Sequence, residues 1–190
     1  LIRAGEMAAR KKPDTLRTAT LAKTRIFHIE QVDLRFANGA EVSYERLRGS
    51  GRGAVLVVPM QDDDTVLLIR EYCAGMDRYE LALPKGRMER DEAIVDAANR
   101  ELMEEVGYGA RKLTHLTTWT VAPNYLSHTI HIVLAQDLYP QRQAGDEPEE
   151  IEVVPWKLSN LPALLTRADV TEARSIAALF MTRELLGKEN

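Results

Sequence analysis

From Glu92 to Val106 the chain runs without a Gly or Pro and then meets Gly107, a pattern that predicts a helix closed by a left-handed residue. At about 100° per residue, with Glu101 at zero, Glu105 falls at about +40° and Glu104 at about −60°, so three carboxylates share one arc. Val95, Leu102 and Val106 fall at about 100–140° and form an apolar stripe elsewhere on the cylinder. One face anchors the helix and another concentrates negative charge. An ordinary solvated face is the usual reading of such a triplet. Like charges at i,i+4, however, cost a few tenths of a kcal/mol, and carboxylates near the C-terminal turn oppose the helix dipole. Local stability does not ask for this cluster, whereas a hard divalent cation does, because it takes carboxylates, waters and substrate phosphates.

The frame around the carboxylates is more specific than the trio itself. It reads Gly86, five residues, Glu92, seven residues, Arg100-Glu101-Leu102, Met103, Glu104-Glu105, Val106, Gly107-Tyr108. A chance match anywhere in a chain this long is on the order of 10⁻⁶, which sets the solvated-face reading aside. The frame resembles the signature of the Nudix hydrolase family, with Tyr108 in a slot more often held by Ile, Leu or Val. The resemblance implies hydrolysis of a nucleoside diphosphate linked to another moiety, with Mg²⁺ (or Mn²⁺) held by Glu101, Glu104 and Glu105. Arg100 is placed to hold one of these carboxylates in position, and Glu92, near 180° on the wheel, reads as a complement to the helix N-terminus.

A general base must reach the attacking water, and in Nudix enzymes acting on ADP-ribose it comes from a downstream loop. The matching run is Gly145-Asp146-Glu147-Pro148-Glu149-Glu150, so Glu147 or Glu149 is expected as base or further metal ligand, with Glu104 as the alternative base. By composition alone the run is equally an exposed acidic loop.

Beyond the frame, the resemblance covers nearly the whole chain and points to the ADP-compound hydrolase (NudE-type) branch. It is carried by Val32-Asp33-Leu34, Asn38-Gly39, Tyr44-Glu45-Arg46, Leu68-Ile69-Arg70-Glu71-Tyr72, Ala97 to Leu102 and Ala135 to Pro140. That branch implies cleavage of ADP-ribose, NADH and adenosine oligophosphates with release of AMP. Pro123 resembles a marker of ADP-ribose hydrolases, and Tyr125 a marker of dinucleoside polyphosphate hydrolases. Two places depart from the pattern. Arg70-Glu71-Tyr72-Cys73 stands where many ADP-ribose hydrolases have Glu-Gln-x-Arg, so a phosphate-binding Arg does not carry over to that place. Pro84-Lys85-Gly86 stands where that group has Ala-Gly. Arg46 and Arg70 are the substitute phosphate contacts, each also readable as a surface strand Arg. Tyr125, Tyr44 and Phe27 are candidates to stack on adenine, with core packing as the alternative.

The fold class expected is α/β, a mixed β-sheet sandwiched between α-helices, as the resemblance also implies. Val32, Leu34 and Phe36 alternate with polar residues before Asn38-Gly39, which predicts a tight hairpin resumed at Val42 and Tyr44. Further strands are expected at 54–60, 66–69, 79–83, 112–120, 128–138 and 151–155, with extended structure stopping at Pro84-Lys85-Gly86 and a closing helix over 171–186. The 190 residues suit one Nudix domain over 26–190. Residues 1–25 carry seven basic and two acidic side chains and read as a basic tail, partly disordered or associated with a dimer. The net charge of −4 argues against nucleic acid as a partner, and no apolar run is long enough for a membrane helix. A lone Cys73 suits a reducing compartment, hence a cytoplasmic location. A homodimer is implied by the family. The competing readings are a Nudix pyrophosphatase for a nucleotide-sugar or nucleoside triphosphate, and a nucleotide-binding module without catalysis.

Overall fold

The computed structural model describes residues 10–49, 51–145 and 148–187. The chain divides into two compact units, residues 1–51 with 122–128, and residues 52–121 with 129–190.

In the first unit, β1 (Asp14–Lys23), β2 (His28–Arg35) and β3 (Glu41–Arg48) pair antiparallel, and Leu126–Ser127 adds a short parallel strand beside β3. Asp14–Lys23, part of the expected basic tail, forms a strand in which Thr18 lies opposite Val32, with register shifts between Thr15 and Arg17 and between Thr20 and Ala22. Threonines at 15, 18 and 20 supply strand propensity that a count of charges conceals. Residues 1–9 of that expectation lie outside the described residues. The β2–β3 hairpin forms, but not with the two-residue turn that Asn38-Gly39 suggests. Gly39 alone of the pair has positive φ (+85°), and its N–H donates to Phe36 O at 2.9 Å while the Phe36 N–H donates to Ala40 O at 2.9 Å. The Asn38 side chain accepts the Ala40 N–H at 3.1 Å, a local bond that keeps Asn38 out of the left-handed region.

The second unit holds the predicted helix. One sheet has the order β7 (Lys85–Arg87), β4 (Ala54–Pro59), β10 (Thr129–Pro140), β8 (Tyr108–Thr120), in which β4 and β10 run parallel. The other has the order β11 (Glu152–Lys157), β5 (Thr65–Cys73), β6 (Arg78–Ala82). Strand structure therefore resumes after Pro84 instead of stopping. The Pro84 carbonyl accepts the Val57 N–H at 2.9 Å, and Gly86 then pairs with Val55.

Alternation along the buried strands separates two apolar layers. Val55, Val57, Ile69 and Val133 pack with Ala97, Ala98, Leu102 and Val106 of the helix that begins as α1 (Ile94–Glu101). Leu56, Val58, Leu68 and Ile132 pack with α2 (Leu161–Leu164) and with Ala178 and Leu179 of α3 (Ala173–Leu185). Each such side chain contributes roughly 1.5–3 kcal/mol on leaving water. Helices on both sides of mixed sheets are the α/β sandwich expected.

Candidate catalytic site

The site begins at an absence of side chain. A Cβ on Gly86 would lie 2.0 Å from the Glu101 carboxylate, so only a glycine lets this strand residue sit under it. Glu101 and Glu105 are 7% and 4% exposed, buried on the helix face turned toward β7. Arg100 orders the cluster: one nitrogen, Nη1, donates to Glu101 Oε1 at 2.7 Å and to Glu104 Oε2 at 3.1 Å. Its Nε and Nη2 fork onto Glu92 at 2.9 and 3.1 Å, and Nη2 also reaches the Arg87 carbonyl at 3.0 Å. The Glu92 hydrogen bonds, then burial and Glu101, govern the Arg100 guanidinium, and its pKa moves up. Glu92 is held below the usual carboxylate range by Arg100 and also takes the Glu89 N–H at 2.8 Å. Its role is to hold Arg100, a connection that the helical wheel does not reveal.

Glu105 accepts the backbone N–H of Lys85 at 2.9 Å. Burial pushes its carboxyl up to about 8, with Lys85 pulling it down and Glu101 and Glu71 raising it further. The Lys85 ammonium pairs with Glu71 of β5 at 3.2 Å. Lys85 and Glu71 thus belong to the site although the sequence reading gave neither a role. The available signal was the departure at Pro84-Lys85-Gly86.

Helical geometry changes within the trio. After α1 the chain continues as a π-helical turn over Leu102–Val106, closed by the Gly107 N–H on the Leu102 carbonyl at 3.1 Å, with Gly107 at φ +82°. Such widened turns recur where side chains must be re-aimed at a functional site.

The donors are hard carboxylate oxygens, two of the three carboxylates buried, which fits Mg²⁺ or Mn²⁺. Among the described residues no three His, Cys, Asp or Glu side chains are already drawn close enough to enclose an ion. Arg100 stands between Glu101 and Glu104 as their counter-charge.

Glu149 and Arg70, also nominated, are held by partners outside the trio. Glu149 accepts the Tyr79 hydroxyl at 2.6 Å, and Glu147 lies outside the described residues. Arg70 donates to Glu152 at 2.8 Å and to Asp169 at 2.5 Å. Arg46 belongs to the first unit and donates through Nε and Nη2 to the buried Glu30, at 3.2 and 3.0 Å, a carboxylate shared with Arg48. Arg46, Tyr44 and Tyr125 line one cavity of about 470 Å³ within that unit, together with Phe36 and Pro123. Phe27 is half exposed and does not line it.

Residues 51–179 match the NUDIX domain, and residues 13–46 match the NudE-type Nudix hydrolase N-terminal domain. The chain is 48% identical to the ADP compounds hydrolase NudE of Escherichia coli, over 93% of this chain and 94% of that one. It is 29% identical to an ADP-ribose pyrophosphatase of Bacillus subtilis, over 87% and 92% of the two chains. A solved structure described as the crystal structure of ADP compounds hydrolase superposes with a TM-score of 0.89 at 46% identity, covering 95% of this chain and 97% of that one. A NUDIX domain with its signature carboxylates gathered by Arg100, preceded by a NudE-type N-terminal domain, makes this chain a member of the Nudix hydrolase family.

Proposed function

We propose that this chain is a pyrophosphohydrolase that cleaves ADP compounds such as ADP-ribose, NADH and adenosine oligophosphates, releases AMP, and depends on Mg²⁺ or Mn²⁺. The observation that carries the reading is the gathering of Glu101 and Glu104 on one Arg100 nitrogen beside the buried Glu105. The relatives named for ADP compounds and ADP-ribose support the substrate class. Glu101, Glu104 and Glu105 would hold the divalent ion, which would supply charge neutralisation for the diphosphate and activation of the attacking water. The protein's own part is positioning. Arg100 fixes two carboxylates, the Lys85 N–H orients the third, and Gly86 clears the space they occupy.

Glu149 is engaged by Tyr79, so the general base falls to Glu104, the most accessible of the trio, or to Glu147 of the acidic loop. Arg46 and Tyr125 are proposed as substrate contacts through the cavity that they line. Arg70, bound by two carboxylates, acts instead as a strut between β5, β11 and the segment before α3. The proposed assembly is a homodimer, supported by Leu16, Leu21, Val42 and Tyr44, which stand exposed on the strands of the first unit.

The test is a panel of ADP-ribose, NADH, diadenosine polyphosphates, GDP-mannose and nucleoside triphosphates, each with Mg²⁺ or Mn²⁺. AMP from the ADP compounds is expected. Turnover confined to GDP-mannose or to triphosphates would replace the substrate assignment, and binding without product would remove the catalytic one.

A further inference from the structure

A diphosphate approaching this centre meets the carboxylates of Glu71, Glu101 and Glu104. Of the two arginines nominated for it, Arg70 is held by two carboxylates, Glu152 and Asp169, and Arg46 belongs to the cavity of the first unit. Arg100 has Nε, Nη1 and Nη2 all committed to Glu92, Glu101, Glu104 and the Arg87 carbonyl. Lys85 is differently placed. Its backbone is fixed on Glu105, its side chain is 20% exposed, and its charge acts on Glu105 and on Cys73. An ammonium carries three N–H donors, and the pairing with Glu71 at 3.2 Å uses one. A compact charge on a flexible stem suits phosphate oxygens whose position shifts during reaction.

We infer that Lys85 is a direct contact for the substrate diphosphate, steered by its ion pair with Glu71. The two departures from the ADP-ribose hydrolase pattern lie on β5 and β7, which the Lys85–Glu71 pair joins. A cation that does not arise at the end of β5 is supplied from β7. The inference rests on the carboxylate cluster being a diphosphate site.

The experiment measures calorimetric affinity for α,β-methylene-ADP in Mg²⁺, and Mn²⁺ binding alone by electron paramagnetic resonance. It compares the wild type with Lys85→Met, Lys85→Arg and Glu71→Gln. Loss of one charged hydrogen bond predicts analogue binding about tenfold weaker in Lys85→Met, with a much smaller change in Mn²⁺ affinity because the Lys85 backbone N–H still holds Glu105. Lys85→Arg restores most of the affinity, and Glu71→Gln, which keeps the charge but frees it, weakens binding less than Lys85→Met. Wild-type analogue affinity in Lys85→Met overturns the assignment. So does a parallel loss of Mn²⁺ binding, which would make Lys85 a support for Glu105. A wild-type protein that binds the analogue yet leaves ADP-ribose intact removes the proposed hydrolysis and leaves the Lys85 contact standing.

Discussion

Glu105, Glu101 and Gly86 show how much of the site is decided by single atoms. Glu105 is buried with its carboxyl pushed up to about 8, a position where an isosteric amide fits and a charge is costly. Glu105→Gln is therefore expected to lower kcat on ADP-ribose by about 100-fold or more while leaving the melting temperature unchanged or raised, read by AMP release and thermal denaturation. Gly86→Ala places a methyl 2.0 Å from the Glu101 carboxylate, which must move away. Its expected signature is weaker Mn²⁺ binding by titration. Arg100→Lys keeps the charge but loses the fork that spans Glu92, Glu101 and Glu104, and a loss of about 10–100-fold in activity is expected. The trio and Arg100 were legible in the sequence because four residues within two helical turns have fixed relative directions. Lys85 and Glu71 were not, because they come from different strands and only the pairing of sheets brings them together.

At the scale of elements, the carboxylate helix stops where expected but begins at Ile94 and not at Glu92, and it ends in a π turn, a choice between hydrogen-bond partners that periodicity does not resolve. Gly107 is held at φ +82°, so Gly107→Ala is expected to cost about 1 kcal/mol or more, measured by denaturant unfolding. The segment before α3 is tied to β5 through Asp169, which lies between Arg70 and Arg167. Hydrogen bonds from Arg167 and then Arg70 hold its carboxyl down at about 2, below the ordinary 3.8. Because the folded pKa is depressed, this contribution is complete above about pH 4 and disappears as pH falls toward 2. Asp169→Asn is thus expected to melt lower than the wild type at pH 6, by on the order of 1–2 kcal/mol, with the difference closing near pH 2. Equal gaps at both pH values would show that the loss is one of shape and not of charge.

For the whole molecule, the proposed homodimer predicts a light-scattering mass of about twice the 21.4 kDa chain, and a 21 kDa particle would remove it. Leu16→Asp with Leu21→Asp, both on the exposed β1 strand, is expected to shift the particle toward monomer. Among the described residues no helix is long and apolar enough to cross a membrane. The sequence by itself determined the sandwich, since alternation along β4 sends Val55 and Val57 to one apolar layer and Leu56 and Val58 to the other. It also determined the carboxylate helix, whose spacing is a property of neighbours in the chain. Only the tertiary structure decided that Asp14–Lys23 is a strand, that Arg46 and Arg70 are bound by carboxylates, and that Lys85 sits among the acidic groups. Local periodicity is written within a few residues, whereas ion pairs between distant strands depend on register and burial, which no short window of sequence contains.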